Sequence, residues 1–131
     1  MEAVAIVTIL ALVQYMYFGI QVGGAHLKYD IKLPAMSGDS RFECVNRVHQ
    51  NTLEQLVLLI PALWLYAHFV NPLWGAGMGV VYLIGRFVYS SAYKKDPSSR
   101  SLGFMLSFLP GAVMMGWVLV ASVMSLLSQN L

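Results

Sequence analysis

Residues 47–54 read RVHQNTLE, and residues 55–70 continue as QLVLLIPALWLYAHFV. The second stretch has no acidic or basic side chain except His68, and its length fits a membrane span or a buried core helix. No glycine or proline separates the two, so Arg47, His49, Asn51 and Glu54 sit at the polar start of the same helix. Composition identifies the solvent that this helix meets. Of 131 residues, 58% are hydrophobic and only 11% charged, with a mean hydropathy of +0.66. A soluble domain carries about 25% charged residues. The bilayer is the simpler solvent.

A span needs about 20 apolar residues, so the length allows four short-looped spans in one integral membrane domain, residues 1–131. The first is expected from Ala3 to Gly24. Only Glu2 precedes it, with no positive n-region and no cleavage pattern, so it reads as an anchor rather than a signal peptide. KYDIKLPAMSGDSR follows as a loop broken by Pro34 and Gly38. The second helix is expected from Arg41 to Val70, and Asn71-Pro72 makes a tight turn into a third from Leu73 to Tyr93. KKDPSSR leads to a fourth that ends near Leu127. Asp96-Pro97 reads as its N-cap with proline at the first helical position. The fold class is an all-α membrane protein, an up-down-up-down four-helix bundle.

The net charge of +2 and the absence of a basic run give no sign of nucleic acid. One cysteine, Cys44, excludes an intrachain disulfide and gives no metal signature. His26, His49 and His68 are too scattered to share a ligand face, so no metal is expected. Gly19/Gly23 and Gly75/Gly79 are small-xxx-small pairs of the kind that let helices pack closely. Trp74 reads as an interfacial anchor, and Pro61 as a kink in the second span.

All eight Lys and Arg residues lie at or near the first and third loops. The positive-inside rule makes those loops cytoplasmic and puts both termini on the other side. At ~1.5 Å per residue, Glu54 lies about 24 Å up the second helix from Val70, and Arg86 about 20 Å up the third from Leu73. Opposite charges therefore meet at similar depth, each costing roughly 3 kcal/mol if it faced lipid near the midplane. Their neighbours keep to the same faces. Arg47, Asn51 and Glu54 follow i, i+4, i+7, and Tyr82, Arg86, Tyr89 and Tyr93 follow i, i+4, i+7, i+11. Arginine forks clamp carboxylates and a glutamate can hold an ammonium, so the stripes suit a zwitterionic ligand. A structural ion pair beside an aromatic belt is the plainer alternative.

RVHQNTLE together with VYLIGRFVYSSAYKKDPSSRSLGF resembles the membrane-associated proteins in eicosanoid and glutathione metabolism, with the microsomal glutathione transferase 3-like branch nearest. The resemblance spans nearly the whole chain, from YFGIQV in the first helix to the start of the fourth. It implies a homotrimer with glutathione bound between neighbouring subunits near the cytoplasmic face. Arg47, Asn51, Glu54, Arg86, Tyr89 and Tyr93 match the family's glutathione contacts. Gln50 in the same block and His26 at the end of the first helix complete the expected set. Arg100 matches the arginine that stabilises the glutathione thiolate. His26 and Leu27 stand where the family usually has consecutive basic residues, and the proline often found soon after the motif glutamate is replaced by Pro61 further along.

The implied activity is a membrane-bound glutathione transferase. It uses glutathione as co-substrate and a lipophilic electrophile from the membrane lipid, with reduction of a lipid hydroperoxide as a second outlet. A free thiol has a pKa near 8.5, and lowering it to about 6 takes roughly 3.4 kcal/mol of differential stabilisation. A guanidinium near a helix N-terminus can supply much of that. Two other classes stay open: a non-catalytic lipid-binding or scaffold member, and a small proton-coupled transporter using Glu54.

The charge asymmetry yields a direct test. With Cys44→Ala as background, Lys95→Cys in sealed cells should resist a membrane-impermeant maleimide and react after permeabilisation. Labelling from outside would reverse the topology.

Overall fold

The computed structural model describes residues 1–96 and 99–129. Four helices account for most of them: α1 Glu2–Lys28, α2 Ser40–Phe69, α3 Pro72–Lys95 and α4 Ser101–Gln129. Each is roughly 36–45 Å long at 1.5 Å per residue, enough to cross the hydrocarbon of a bilayer. By composition as well as length, three of the four qualify as membrane spans: α1, α2 and α4. The expected fourth, α3, has the length but carries Arg86 together with glycines and tyrosines.

Packing explains how α3 is accommodated. Gly75, Gly79, Gly85, Tyr82, Arg86 and Tyr89 are buried, and Arg86 is 0% exposed. The helix contacts α1, α2 and α4, while α1 and α4 both pack against α2 and α3. The apolar helices thus lie outside, and the less apolar ones lie in the middle. In α1 the buried positions Val4, Val7, Ala11, Gln14, Phe18, Val22 and Ala25 recur every three or four residues, a narrow seam. Ile6, Ile9, Leu10, Val13, Met16 and Ile20 point outward and are exposed. Such a surface is an aggregation hazard in water and an ordinary face in lipid. The main core joins that seam to Leu56, Leu59, Leu63 and Tyr66 of α2 and to Met114 and Val118 of α4.

The helix ends follow local chemistry. Asp39 caps α2 by accepting from the Arg41 N–H at 2.8 Å, and its carboxylate pairs with the Arg41 guanidinium at 2.9 Å. These hydrogen bonds hold the Asp39 carboxyl down at about 2. Asn71 caps α3 by accepting from Leu73 and Trp74 N–H groups, and Pro72 opens the helix, so Val70 and Asn71 alone make the turn.

The third link departs from expectation. Asp96 does not cap α4; it ends α3, donating its N–H to the Ala92 carbonyl, and α4 begins at Ser101. The proline supplies the reason. A residue before proline is driven out of the helical region, and Asp96 is extended at φ −154°, ψ 107°. Pro97 itself lies outside the described residues. Ser99 Oγ donates to the carbonyls of Ala92 and Asp96, tying the link back to α3.

Helix packing turns on glycines that the sequence reading passed over. A Cβ on Gly85 would stand 2.7–2.8 Å from Leu106 and the Ser107 backbone, and one on Gly103 would strike the backbone of Tyr89. Backbone cannot yield as a side-chain tip does, so α3 and α4 touch here because neither position has a side chain. Of the expected pairs, Gly75 and Gly79 pack against α2 and against Val7 of α1, Gly19 faces the His49 ring, and Gly23 faces open space. Gly103→Ala should therefore push α4 away from Tyr89. Overpacking of this kind costs about 1–3 kcal/mol or more, read as a lowered melting temperature in detergent, whereas Gly23→Ala should melt like wild type.

Candidate functional site

Three helices bring polar ends to one place. The Arg47 end of α2, the C-terminal turns of α3 and the first turn of α4 surround a cavity of about 710 Å³. Its walls are Arg47 and Asn51 from α2, Tyr89 and Tyr93 from α3, and Arg100, Ser101 and Phe104 around the start of α4. Helical spacing makes this possible: Arg47/Asn51, Tyr89/Tyr93 and Arg100/Phe104 are each i, i+4 pairs on a single face.

The cationic groups differ in their surroundings. Arg47 and Arg100 are exposed, so their forks are available at the cavity walls. Arg100 sits just before α4, where its carbonyl accepts the Phe104 N–H at 3.0 Å. Its guanidinium lies 6.0 Å from the Tyr93 ring centroid, and Tyr93 stacks on Tyr89 at 5.5 Å. Arg86 lies beneath Tyr89, 4.3 Å from that ring, and does not line the cavity. Asn51 is buried with its Oδ1 unpaired among the described residues. Two guanidinium groups, an amide, two phenols and a helix N-terminus make a receptor for an anion, because all of them present positive charge or donors.

The expected set is thus divided. Arg47, Asn51, Tyr89, Tyr93 and Arg100 converge on one cavity. Glu54 and Gln50 are exposed on α2 and outside it. His26 is also outside: its Nδ1 pairs with the Ile31 carbonyl at 2.9 Å, and its ring rests on Phe42 at 4.5 Å.

Glu54 and Arg86, the opposite charges placed at similar depth, form no ion pair within the chain among the described residues. Arg86 instead donates to Thr52 Oγ1 at 3.1 Å, and that hydroxyl donates to the Val48 carbonyl at 2.7 Å. Counting residues along a helix gives depth but leaves azimuth open. Thr52 and Glu54 are about 200° apart around α2 at 3.6 residues per turn. A guanidinium that reaches Thr52 therefore faces away from Glu54. Three participants were not picked out from the sequence. Phe104 was within reach of the i, i+4 rule applied from Arg100, whereas Ser101 and Thr52 carry no signal beyond being hydroxyls next to or inside the motif.

Fold and cavity together define a class: a four-helix membrane bundle with an anion-receiving chamber where three helix ends meet. The sequence profile of the MAPEG family matches residues 4–120, and the chain belongs to that family. It is 38% identical over 125 residues to an uncharacterised protein of Synechocystis, covering 95% of this chain and 88% of that one. It is 39% identical over 103 residues to human microsomal glutathione S-transferase 2, covering 79% of this chain and 70% of the relative. Mouse leukotriene C4 synthase is 30% identical, with 83% and 85% covered.

The Arg86–Thr52 bond gives a stability test. Thr52→Val keeps the volume but removes the only acceptor paired with a buried guanidinium among the described residues. It should cost about 1–3 kcal/mol. A double-mutant cycle in detergent should couple Arg86 to Thr52 and show no comparable coupling of Arg86 to Glu54 in the isolated subunit.

Proposed function

We propose that the protein is a membrane-bound glutathione transferase whose glutathione site is the cavity between α2, α3 and α4. The observation that carries this is the convergence of Arg47, Asn51, Tyr89, Tyr93 and Arg100 around one chamber, in a chain related to microsomal glutathione S-transferase 2. Glutathione carries two carboxylates, an ammonium and a thiol. Arg47 and Asn51 take a carboxylate and an amide, and the tyrosine pair forms a wall against the peptide.

Arg100 and the first turn of α4 hold the thiolate. The sulfur then attacks a lipophilic electrophile from the bilayer; a carbon–sulfur bond forms and the leaving group departs with its electron pair. With a lipid hydroperoxide, the thiolate breaks the O–O bond to give an alcohol and a sulfenic acid. A second glutathione reduces that acid, leaving glutathione disulfide and water.

The ammonium needs an acid, and none lines the cavity among the described residues. Glu54 is exposed at a depth where lipid is a costly neighbour. A homotrimer answers both needs: neighbouring subunits cover the outer face of α2 and bring Glu54, Gln50 and His26 to the edges of the site. The binding side is cytoplasmic by the charge rule.

The direct test is conjugation of 1-chloro-2,4-dinitrobenzene by purified protein, with and without glutathione; no rate above the buffer reaction would end this reading. Arg100 supplies the finer one. Removing its guanidinium should let the thiol drift back from about 6 toward 8.5, so the thiolate fraction at neutral pH falls roughly 30-fold. Arg100→Ala should therefore bind glutathione with modest loss, show weaker thiolate absorbance, and recover turnover as pH rises. A wild-type pH–rate profile would assign Arg100 to the membrane interface instead.

A further inference from the structure

Arg86 is fully buried inside a membrane bundle, yet its surroundings do little to neutralise it. One nitrogen donates to the Thr52 hydroxyl, and Nε and Nη1 have no partner among the described residues. No carboxylate stands within ion-pair distance of it among the described residues. Burying a cation on such terms is costly, and an apolar side chain of similar volume would serve packing better. What the site gains from the charge is shown by where Arg86 sits. The Tyr89 ring separates it from the cavity, touching Arg86 at 4.3 Å on one side and lining the chamber on the other.

We infer that Arg86 is a positioning residue that never touches the ligand: it fixes Tyr89 by cation–π contact and supplies a constant positive potential behind it. This rests on the glutathione reading above and sharpens it, because Arg86 moves from the list of ligand contacts to a layer beneath them. The charge acts on whichever part of the ligand is anionic near the cavity floor. In a medium of low polarity, a charge one ring away still matters, whereas in water it would be screened. Arg47 and Arg100 line the same cavity from α2 and α4 and act on the ligand directly. Arg86 acts from behind Tyr89, where burial keeps solvent from screening it.

The test separates charge from structure with two analogues: glutathione sulfonate, which has a permanent anion in place of the thiol, and S-methylglutathione, whose sulfur is neutral. Binding of each is measured by calorimetry on purified full-length protein, and the ratio of affinities reports the potential at the sulfur. Wild type should prefer the sulfonate. Arg86→Gln, which keeps a donor for Thr52, should lose on the order of tenfold of that preference. Arg86→Lys keeps the charge without the fork and should hold the preference within about threefold, even with a lower melting temperature.

An Arg86→Gln protein with the wild-type ratio would overturn the inference. So would a folded Arg86→Lys protein that has lost the ratio, since shape rather than charge would then be at work; this arm stands even if the glutamine variant does not fold. Equal wild-type affinity for both analogues would refute the role of Arg86 while leaving the glutathione reading intact. Binding of neither would refute both.

Discussion

A guanidinium cannot face the hydrocarbon of a membrane, and Arg86 lies in a helix whose neighbours are membrane spans. That single constraint turns α3 inward and arranges the other helices around it. The buried arginine, Tyr82 and Tyr89 beside it, and Gly75, Gly79 and Gly85 along the helix avoid lipid by packing against α1, α2 and α4. The apolar outer surfaces of α1 and α4, together with Val80, Ile84 and Phe87 on the outer face of α3, then supply the contact with the bilayer. The arrangement inverts the usual logic of a water-soluble core: the exterior is the greasiest part, and the polar groups are shared between helices in the interior.

The same orientation creates the cavity. With α3 pressed against α4 at Gly85 and Gly103, Tyr89 and Tyr93 stand beside the start of α4. Asp96 stops α3 because proline follows it, and α4 starts again at Ser101 within a short link. Arg100 is thereby placed at a helix N-terminus next to stacked phenols, while α2 contributes Arg47 and Asn51 from its polar first half. No single helix holds the site. It arises because polar ends of three helices point the same way, with an electrostatic preference for anions that follows from the groups gathered there.

Glu54 shows how far one subunit goes. It shares a face with Asn51 by sequence spacing, yet it is exposed and outside the cavity. Within the chain it makes no ion pair with Arg86 among the described residues. The residues that do line the cavity carry two guanidinium groups and no carboxylate among those described.

The sequence by itself determined the membrane, the helical class, the first two links and the spacing of the two polar stripes. Hydropathy, breakers and i, i+4 spacing are local properties that survive without tertiary information. Helical spacing also singled out Arg47, Asn51, Tyr89 and Tyr93, and the family resemblance added Arg100; the fold brings these five together. Tertiary structure alone decided which way each stripe faces. Depth along a helix follows from counting residues, but rotation about its axis depends on which neighbours pack where, and this is why Arg86 meets Thr52 rather than Glu54. Contact between α3 and α4 was hidden for a related reason. Gly85 and Gly103 are far apart in the chain, and a glycine declares its purpose only when another backbone occupies the space that its missing side chain leaves.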